Sequence, residues 1–594
     1  MDNGSCESPT FRRAACPATV VCLLVVALPW VYGRFPDTGR YAVTFFVLGM
    51  AVLSVVWTTV SCRRQAFVLR RADAALSLYL LWGIANLCLV RPGGCDPLLL
   101  VEWAGLLICY LAVRLLPRAS QAWVLRAVVF SGALQSLLGL LQRTGGLSSA
   151  HRLFPVTGSF LNPGPYGGYL AIAITAAVGL AIRARRSGYP RRGWLWAIAA
   201  IPMASMLVVS SSRAAWIGVL AGAAFIVSDG IRLWPRRRTV AGCAAVLVAL
   251  PLLFAGIYLY KKDSADARLL IWRVSAEMFR EHPVAGSGIA TFPSRYMPAQ
   301  RDYFARNPES RFRDIAGNNR RPFNEPIRIG CEQGIVGLGL FAGWIALVLA
   351  GRRRREEERI ARGGVVALVV FSLFSYTADV LPLKLFFGLL AGMAPGARVR
   401  TFGLRFRLWS AWPAAVSLSA WIVFSPFYAD YRKAEECLAG FRRTGSESDL
   451  GRFRDKLPVV GRHTELVWTY CRSLYETGRY RECTEAMPRL HRDLIVTPES
   501  LCDLGICYGN LGQYRKAARC FTEAEGMVPE AMYPSYCLFR LARQRGDAER
   551  AADFARRVAG KRPRVVNSLT LRMRSEANRY LRQREAEGPS GARE

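Results

Sequence analysis

Residues 166–192 read YGGYLAIAITAAVGLAIRARRSGYPRR, an uncharged run over 166–182 followed by Arg183, Arg185, Arg186, Arg191 and Arg192. A run of that length and apolarity approaches the roughly 20 residues that cross the hydrocarbon core of a bilayer, and the basic cluster marks the end that stays in the cytoplasm. The pattern recurs in both directions. Apolar runs lie at about 17–33, 41–61, 74–91, 97–116, 122–142, 166–182, 194–210, 213–229, 239–260, 329–350, 363–379, 382–395 and 408–428, about thirteen in all. The twelfth is short, and Pro382 at its start predicts a re-entrant or kinked segment.

The connections alternate in charge. Even-numbered ones carry Arg63, Arg64, Arg70 and Arg71, then Arg114 and Arg118, then the cluster quoted above. Arg232 with Arg236 to Arg238, Arg352 to Arg355, and Arg398 to Arg407 continue the series, whereas the short odd-numbered connections hold little beyond Arg34, Arg40 and Arg91. The N-terminus is therefore expected in the cytoplasm and the odd connections outside. Arg12 and Arg13 before the first run resemble a signal peptide, but no small-x-small cleavage site follows, so an uncleaved first span is expected. A net charge of +36 in 594 residues would suggest nucleic acid in a soluble chain. Here mean hydropathy is +0.18 and the arginines sit between apolar runs, so the charge reports topology, not a nucleic-acid partner.

From about 430 the composition turns polar. Gly478, Gly512 and Gly546 recur 34 residues apart, with Tyr480 and Tyr514, and Ala517 and Ala551, in the same register. The unit Leu504-Gly505, Tyr508, Leu511-Gly512, Tyr514, Ala517, Phe521, Ala524, Pro529 resembles a tetratricopeptide repeat. The expected fold is all-α: a polytopic membrane helix bundle over 1–428 with a long periplasmic loop at 261–328, helical repeats over 429–585, and a disordered tail at 586–594. The repeat region holds seven of the sixteen cysteines; the odd count, and Cys483 in the register of Ala517, favour buried free thiols over disulfides. No paired C-x-x-C or histidine spacing suits zinc, so no metal or cofactor is expected.

Three outer connections carry candidate chemistry. One ends in Gly158-Ser-Phe-Leu-Asn162-Pro-Gly-Pro165. One is Ser210-Ser-Ser212-Arg213 at the mouth of a span, where an arginine either anchors in the headgroups or lines a polar cavity. The long loop opens with Arg268 and Trp272, passes His282-Pro283 with Gly286 and Gly288, and ends at Phe323-Asn324-Glu325 before Glu332-Gln-Gly334. His-Pro and glycine pairs are ordinarily loop punctuation.

In this order and spacing the pieces resemble the O-antigen ligase family, which includes oligosaccharide polymerases and protein-glycosylating enzymes; the resemblance covers about 20–400. It implies inverting, metal-independent transfer of a glycan from a polyprenyl pyrophosphate carrier to an acceptor, at the periplasmic face of a bacterial inner membrane. Arg213 and Arg268 match arginines suited to holding pyrophosphate, and Asn162, Ser212, Trp272, His282 and Asn324 would help bind substrate. Many members carry histidine before the asparagine that ends the long loop; this chain has Phe323, which moves the expected base to Glu325, with His282 behind it. Ligation to lipid A core, polymerisation of repeat units and transfer to protein are alternative readings of the same motifs, and the repeats suggest a protein partner. A transporter or flippase of lipid-linked sugar is the competing class. Against it, no two-fold repeat of the hydropathy pattern is seen and acidic groups inside spans are few, with Asp379 and Lys384 standing out near the eleventh and twelfth spans.

Overall fold

The computed structural model describes residues 9–34, 68–91, 96–151, 153–231, 256, 262–350, 355–394, 396, 398–401, 406–562 and 566–587. The expected spans 41–61 and 239–260 lie outside these, as does the tail beyond Glu587. Among the described residues the chain is all-α apart from one two-stranded ribbon. The helices of the first part are α1 (Pro9–Arg34), α2 (Arg71–Leu89), α3 (Pro97–Leu115), α4 (Arg118–Arg143), α5 (Pro163–Arg186), α6 (Pro190–Val209) and α7 (Arg213–Ile231). Then come α8 (Lys262–Glu281), α9 (Phe292–Arg306), α10 (Glu325–Leu349), α11 (Glu356–Ser372) and α12 (Leu381–Met393). Six of them, α2 to α6 and α10, contain stretches long and apolar enough to cross a membrane, and three shorter apolar stretches lie in α1, α7 and α12.

The centre of the bundle is α5 against α11 and α7. Its small residues let neighbours approach closely, as membrane helices require where no hydrophobic effect drives them together. Cβ atoms on Gly218 and Gly222 of α7 would stand 2.8 and 2.7 Å from the carbonyls of Ala367 and Gly363 on α11. All thirteen residues of α12 are buried, and at 1.5 Å per residue it is roughly 20 Å long, short of a bilayer core. The expected span at 363–379 ends early: α11 stops at Ser372, and a turn with a 3-10 helix over Thr377–Asp379 leads to Pro382. That unwound corner brings Asp379 to the site described below. By contrast α6 is peripheral, with Trp194, Leu195, Ile198, Ile201 and Val208 exposed as a lipid-facing stripe.

Contacts sort the connections into two groups. Val68–Arg70 pairs antiparallel with Arg398–Thr401, Arg114 pairs with Asp73, Arg183 with Glu357 and Arg186 with Glu356; all belong to even-numbered connections. At the opposite end Ser159 Oγ donates to Pro29 O in the last turns of α1, Arg213 Nη2 to Ser264 Oγ, and Asn324 Nδ2 to Leu373 O just past α11, contacts made in or beside odd-numbered connections. Arg91, almost wholly buried, donates to Ile289 O at 2.7 Å and to Asp493 O of the tail at 2.6 Å.

The tail begins inside α13 (Phe406–Thr444), one continuous helix, and continues through α14 (Glu447–Val460). Three helix pairs follow: α15 (Thr464–Glu476) with α16 (Tyr480–Asp493), α17 (Pro498–Asn510) with α18 (Tyr514–Met527), and α19 (Met532–Gln544) with α20 (Ala548–Gly560). Each pair turns at one of the glycines 34 residues apart, at φ of 75, 74 and 71°, which only glycine adopts without strain. A final helix, α21, spans Ser568–Glu587. The seven tail cysteines are free thiols, six of them buried.

The array is not a loose appendage. Leu270, Phe292, Tyr296 and Met297 of the long loop share one apolar core with Val496, Leu501, Phe521 and Met527. Gln300, fully buried, accepts from Tyr296 Oη and donates to Gly317 O and, at 2.7 Å, to Met527 O.

Candidate functional site

The site is built on a break in a helix. Gly334 within α10 has φ 67°, ψ −168°, and a Cβ there would stand 2.0 Å from Val284 O. The loop Pro283–Gly288 lies in that break and trades backbone hydrogen bonds with it. Ser287 N donates to Cys331 O, Gly288 N to Glu332 O and Ile335 N to Pro283 O. Irregular backbone inside a span survives where protein covers it, so the glycines of the two motifs are one interlock that fixes the long loop against α10. His282 sits at its exposed edge, within 3.1 Å of Arg295 Nη1.

Arg213 heads α7, and its guanidinium donates to Ser264, one turn before Arg268 on α8. The two cations feel one another: burial, and then the Arg213 charge, push the Arg268 guanidinium down to about 10. Paired cations at the end of a span form a ready acceptor for a dianionic headgroup. From Arg268 a row runs across this end of the bundle. Arg268 lies 5.7 Å from the Phe323 ring, Phe323 packs edge-on to Tyr376 at 5.6 Å, and Arg321 caps Tyr376 at 4.6 Å. Such cation–ring contacts hold side chains in register without hydrogen bonds. Phe323 and Ser211, both at φ 52°, are two of the three non-glycine residues with positive φ among the described residues, and backbone strain of this kind collects at functional sites.

At the Arg321 end the row meets a carboxylate cluster. Arg321 pairs with Asp379 at 2.6 Å, and Arg328 bridges Asp379 and Glu325 at 2.5 and 3.0 Å. Glu325 also accepts from Ala378 N at 2.9 Å. Its side chain is 7% exposed against 21% for Asp379, so Asp379 is the more accessible carboxylate. This cluster lines a cavity of about 350 Å³ between α2, α3, α10, α12 and the start of α15.

The structure thus divides the expected catalytic set. Arg213 and Arg268 stand at one end of the row; Glu325 stands at the other, with Phe323 and Tyr376 between. Trp272 donates to Pro322 O and packs near Phe374, steadying the loop end. Asn324 caps α10 by accepting from Ile327 N, and Asn162 caps α5 by accepting from Gly164 N. Ser212 packs against α5, where a Cβ on Gly167 would stand 2.6 Å from its own. Arg321, Arg328 and Tyr376 join the site without having been expected there from sequence. Arg328 had a signal, its i,i+3 spacing from Glu325, and Asp379 stood out only as a charge within a span.

Residues 198–342 match the family model described as O-Antigen ligase. The matched segment includes Ser212-Arg213, Arg268, the interlock and Glu325, and so contains both ends of the row. The match likens this segment to that family, within a chain that has six helices long and apolar enough to cross a membrane. No curated protein matches the chain.

Proposed function

We propose that the chain transfers a glycan from a polyprenyl pyrophosphate carrier to an acceptor hydroxyl at the periplasmic face of the inner membrane, with inversion and without a metal ion. The observation that carries it is the placing of Arg213, which heads α7 and donates to Ser264 one turn before Arg268, inside the ligase-matched segment. The acceptor oxygen bonds to the anomeric carbon as the bond from that carbon to the pyrophosphate oxygen breaks. The bonding pair leaves on the carrier, where the fixed guanidiniums stabilise it. The hydroxyl proton passes to the carboxylates bridged by Arg328, Glu325 with Asp379 beside it. Joining the odd connections and the helical array at one end supports a periplasmic, tetratricopeptide-type array that braces the long loop.

The test is a substitution that keeps charge and removes the planar fork. Arg213→Lys and Arg268→Lys should each cut transfer about a hundredfold with insertion unchanged, the effect of losing one preorganised donor. Arg183→Lys, on an even-numbered connection, should do nothing. Normal transfer by both variants would remove the pyrophosphate clamp from the mechanism.

A further inference from the structure

At the end of the bundle that holds the even-numbered connections, the arginines are of two kinds. Arg183 and Arg186, in the last turn of α5, pair with Glu357 at 2.8 Å and Glu356 at 3.3 Å. Arg126, Arg185 and Arg192 have no acidic partner among the described residues, and each lies over an aromatic ring instead. Arg126 stands 4.5 Å from the Trp123 ring, Arg185 4.8 Å from Trp194 and Arg192 4.8 Å from Tyr189. All three aromatic residues are more than half exposed.

The three guanidiniums share one corner. Arg126 of α4 is near enough to Arg183 of α5 and Arg192 of α6 for their charges to bear on it. Glu357, the acid that also reaches it, is already held by Arg183. The Arg185 stem crosses the first turn of α6, where a Cβ on Gly193 would stand 3.0 Å from Arg185 Cγ. Arg126 is the costly member. It lies eight residues past the start of α4, half-buried, inside a stretch long and apolar enough to cross a membrane. A guanidinium there, with like charges around it, needs an anion. Stacking on a ring orients the cation without neutralising it.

What leads away from the corner selects the anion. On α4 the exposed Trp123, Phe130 and Leu137 are spaced by seven residues, two helical turns, and so form one line. On α6 the exposed stripe runs from Trp194 through Ile198 and Ile201. A ligand that fits carries phosphate oxygens for the planar arginine forks at one end and apolar chains beyond it. Anionic lipids of the cytoplasmic leaflet have that form, and basic recesses between membrane helices on that side recognise them. We propose that Arg126, Arg185 and Arg192 hold the headgroup of an anionic phospholipid of the cytoplasmic leaflet, its acyl chains resting on the exposed lines of α4 and α6. The site lies at the other end of the bundle from Arg213 and Arg268 and is independent of the reading given to them.

The experiment is native mass spectrometry of the full chain in detergent, titrated with phosphatidylglycerol or with phosphatidylcholine of the same acyl chains. The wild type should bind phosphatidylglycerol about tenfold more tightly. Arg126→Gln and Arg192→Gln should each weaken phosphatidylglycerol about tenfold, the size of one charge-assisted bond, and leave phosphatidylcholine unchanged. Arg192 is exposed, so its variant serves if Arg126→Gln does not fold. Arg143→Gln, at the far end of α4, should change neither affinity. Equal binding of the two lipids by the wild type would overturn the site, as would unchanged phosphatidylglycerol affinity in the arginine variants. Phosphatidylglycerol should raise the unfolding temperature and inorganic phosphate should not; equal stabilisation by phosphate alone would make the occupant a soluble anion and overturn the lipid assignment.

Discussion

Gly334→Ala attacks the joint on which the site is built. At φ 67°, ψ −168° the backbone is in a region open in practice to glycine alone, and forcing alanine there costs about 1–3 kcal/mol. The new methyl would stand 2.0 Å from Val284 O and 2.3 Å from Val284 C, both backbone atoms that cannot swing aside. Restoring ordinary contact parts the two segments by about 1 Å or more, taking Ile335 N beyond hydrogen-bond reach of Pro283 O, now 2.8 Å away. The weaker Val336 N to Val284 O bond at 3.4 Å goes as well. Each amide left unmade inside an apolar helix costs about 1–3 kcal/mol, so the full penalty is roughly 3–9 kcal/mol, a large part of the stability of a domain. The same helix supplies a control. At Gly339 and Gly343 an added Cβ would meet no atom within 4 Å, so Gly339→Ala and Gly343→Ala should be neutral or slightly stabilising. Thermal unfolding in nanodiscs, read beside glycan transfer, should show Gly334→Ala melting about 5 °C or more below wild type and losing transfer. A Gly334→Ala chain as stable and active as Gly339→Ala would refute the interlock.

Three further outcomes follow from the geometry. Gln300→Leu takes the acceptor from Tyr296 Oη and the side-chain donor from Met527 O in the core shared by the long loop and the array, and should cost about 2 kcal/mol or more; limited proteolysis should release the array, and an array still fully protected would show that it does not depend on this knot. His491 and Asp503 should give opposite pH dependences. Burial pushes His491 down to about 4 from 6.5, so between those values the unfolded chain holds the extra proton and acid weakens the array. Burial pushes Asp503 up to about 6 from 3.8, so there the folded chain holds the extra proton and acid strengthens it. Relative to wild type, amide exchange in α16 and α17 should therefore slow on going from pH 6 to 4 in His491→Gln and quicken in Asp503→Asn; the reverse signs would contradict both assignments. Cysteines introduced at Asn318 and Ser446 should be labelled from outside, and those at Ser187 and Glu357 should not; labelling of Ser446 only from the cytoplasmic side would place the array on the other face.

Much of this protein is written locally. Spans follow from the length of apolar runs, their alternation from arginine placement, and the helix pairs of the tail from glycines 34 residues apart, because each depends on the transfer energy or dihedral preference of neighbouring residues. Arg213 and Arg268 stood out as candidates for a similar reason: each sits in a short motif, Arg213 at the head of α7 and Arg268 in the second turn of α8. Other features required the folded chain. Gly286 and Gly334 look like unrelated loop punctuation until Val284 O is found in the space a side chain would fill. The Asn162 and Asn324 side chains serve as helix caps, which spacing alone did not distinguish from substrate contacts. The row from Arg268 to Arg321 joins residues 268, 321, 323 and 376, and the cluster beyond it adds 325, 328 and 379. No periodicity links those positions. They meet because α11 stops at Ser372 and the chain turns before α12, and that turn is held from far along the chain, by Asn324 on Leu373 O, Glu325 on Ala378 N and Arg321 and Arg328 on Asp379, an energy shared among distant residues and carried by none of them alone.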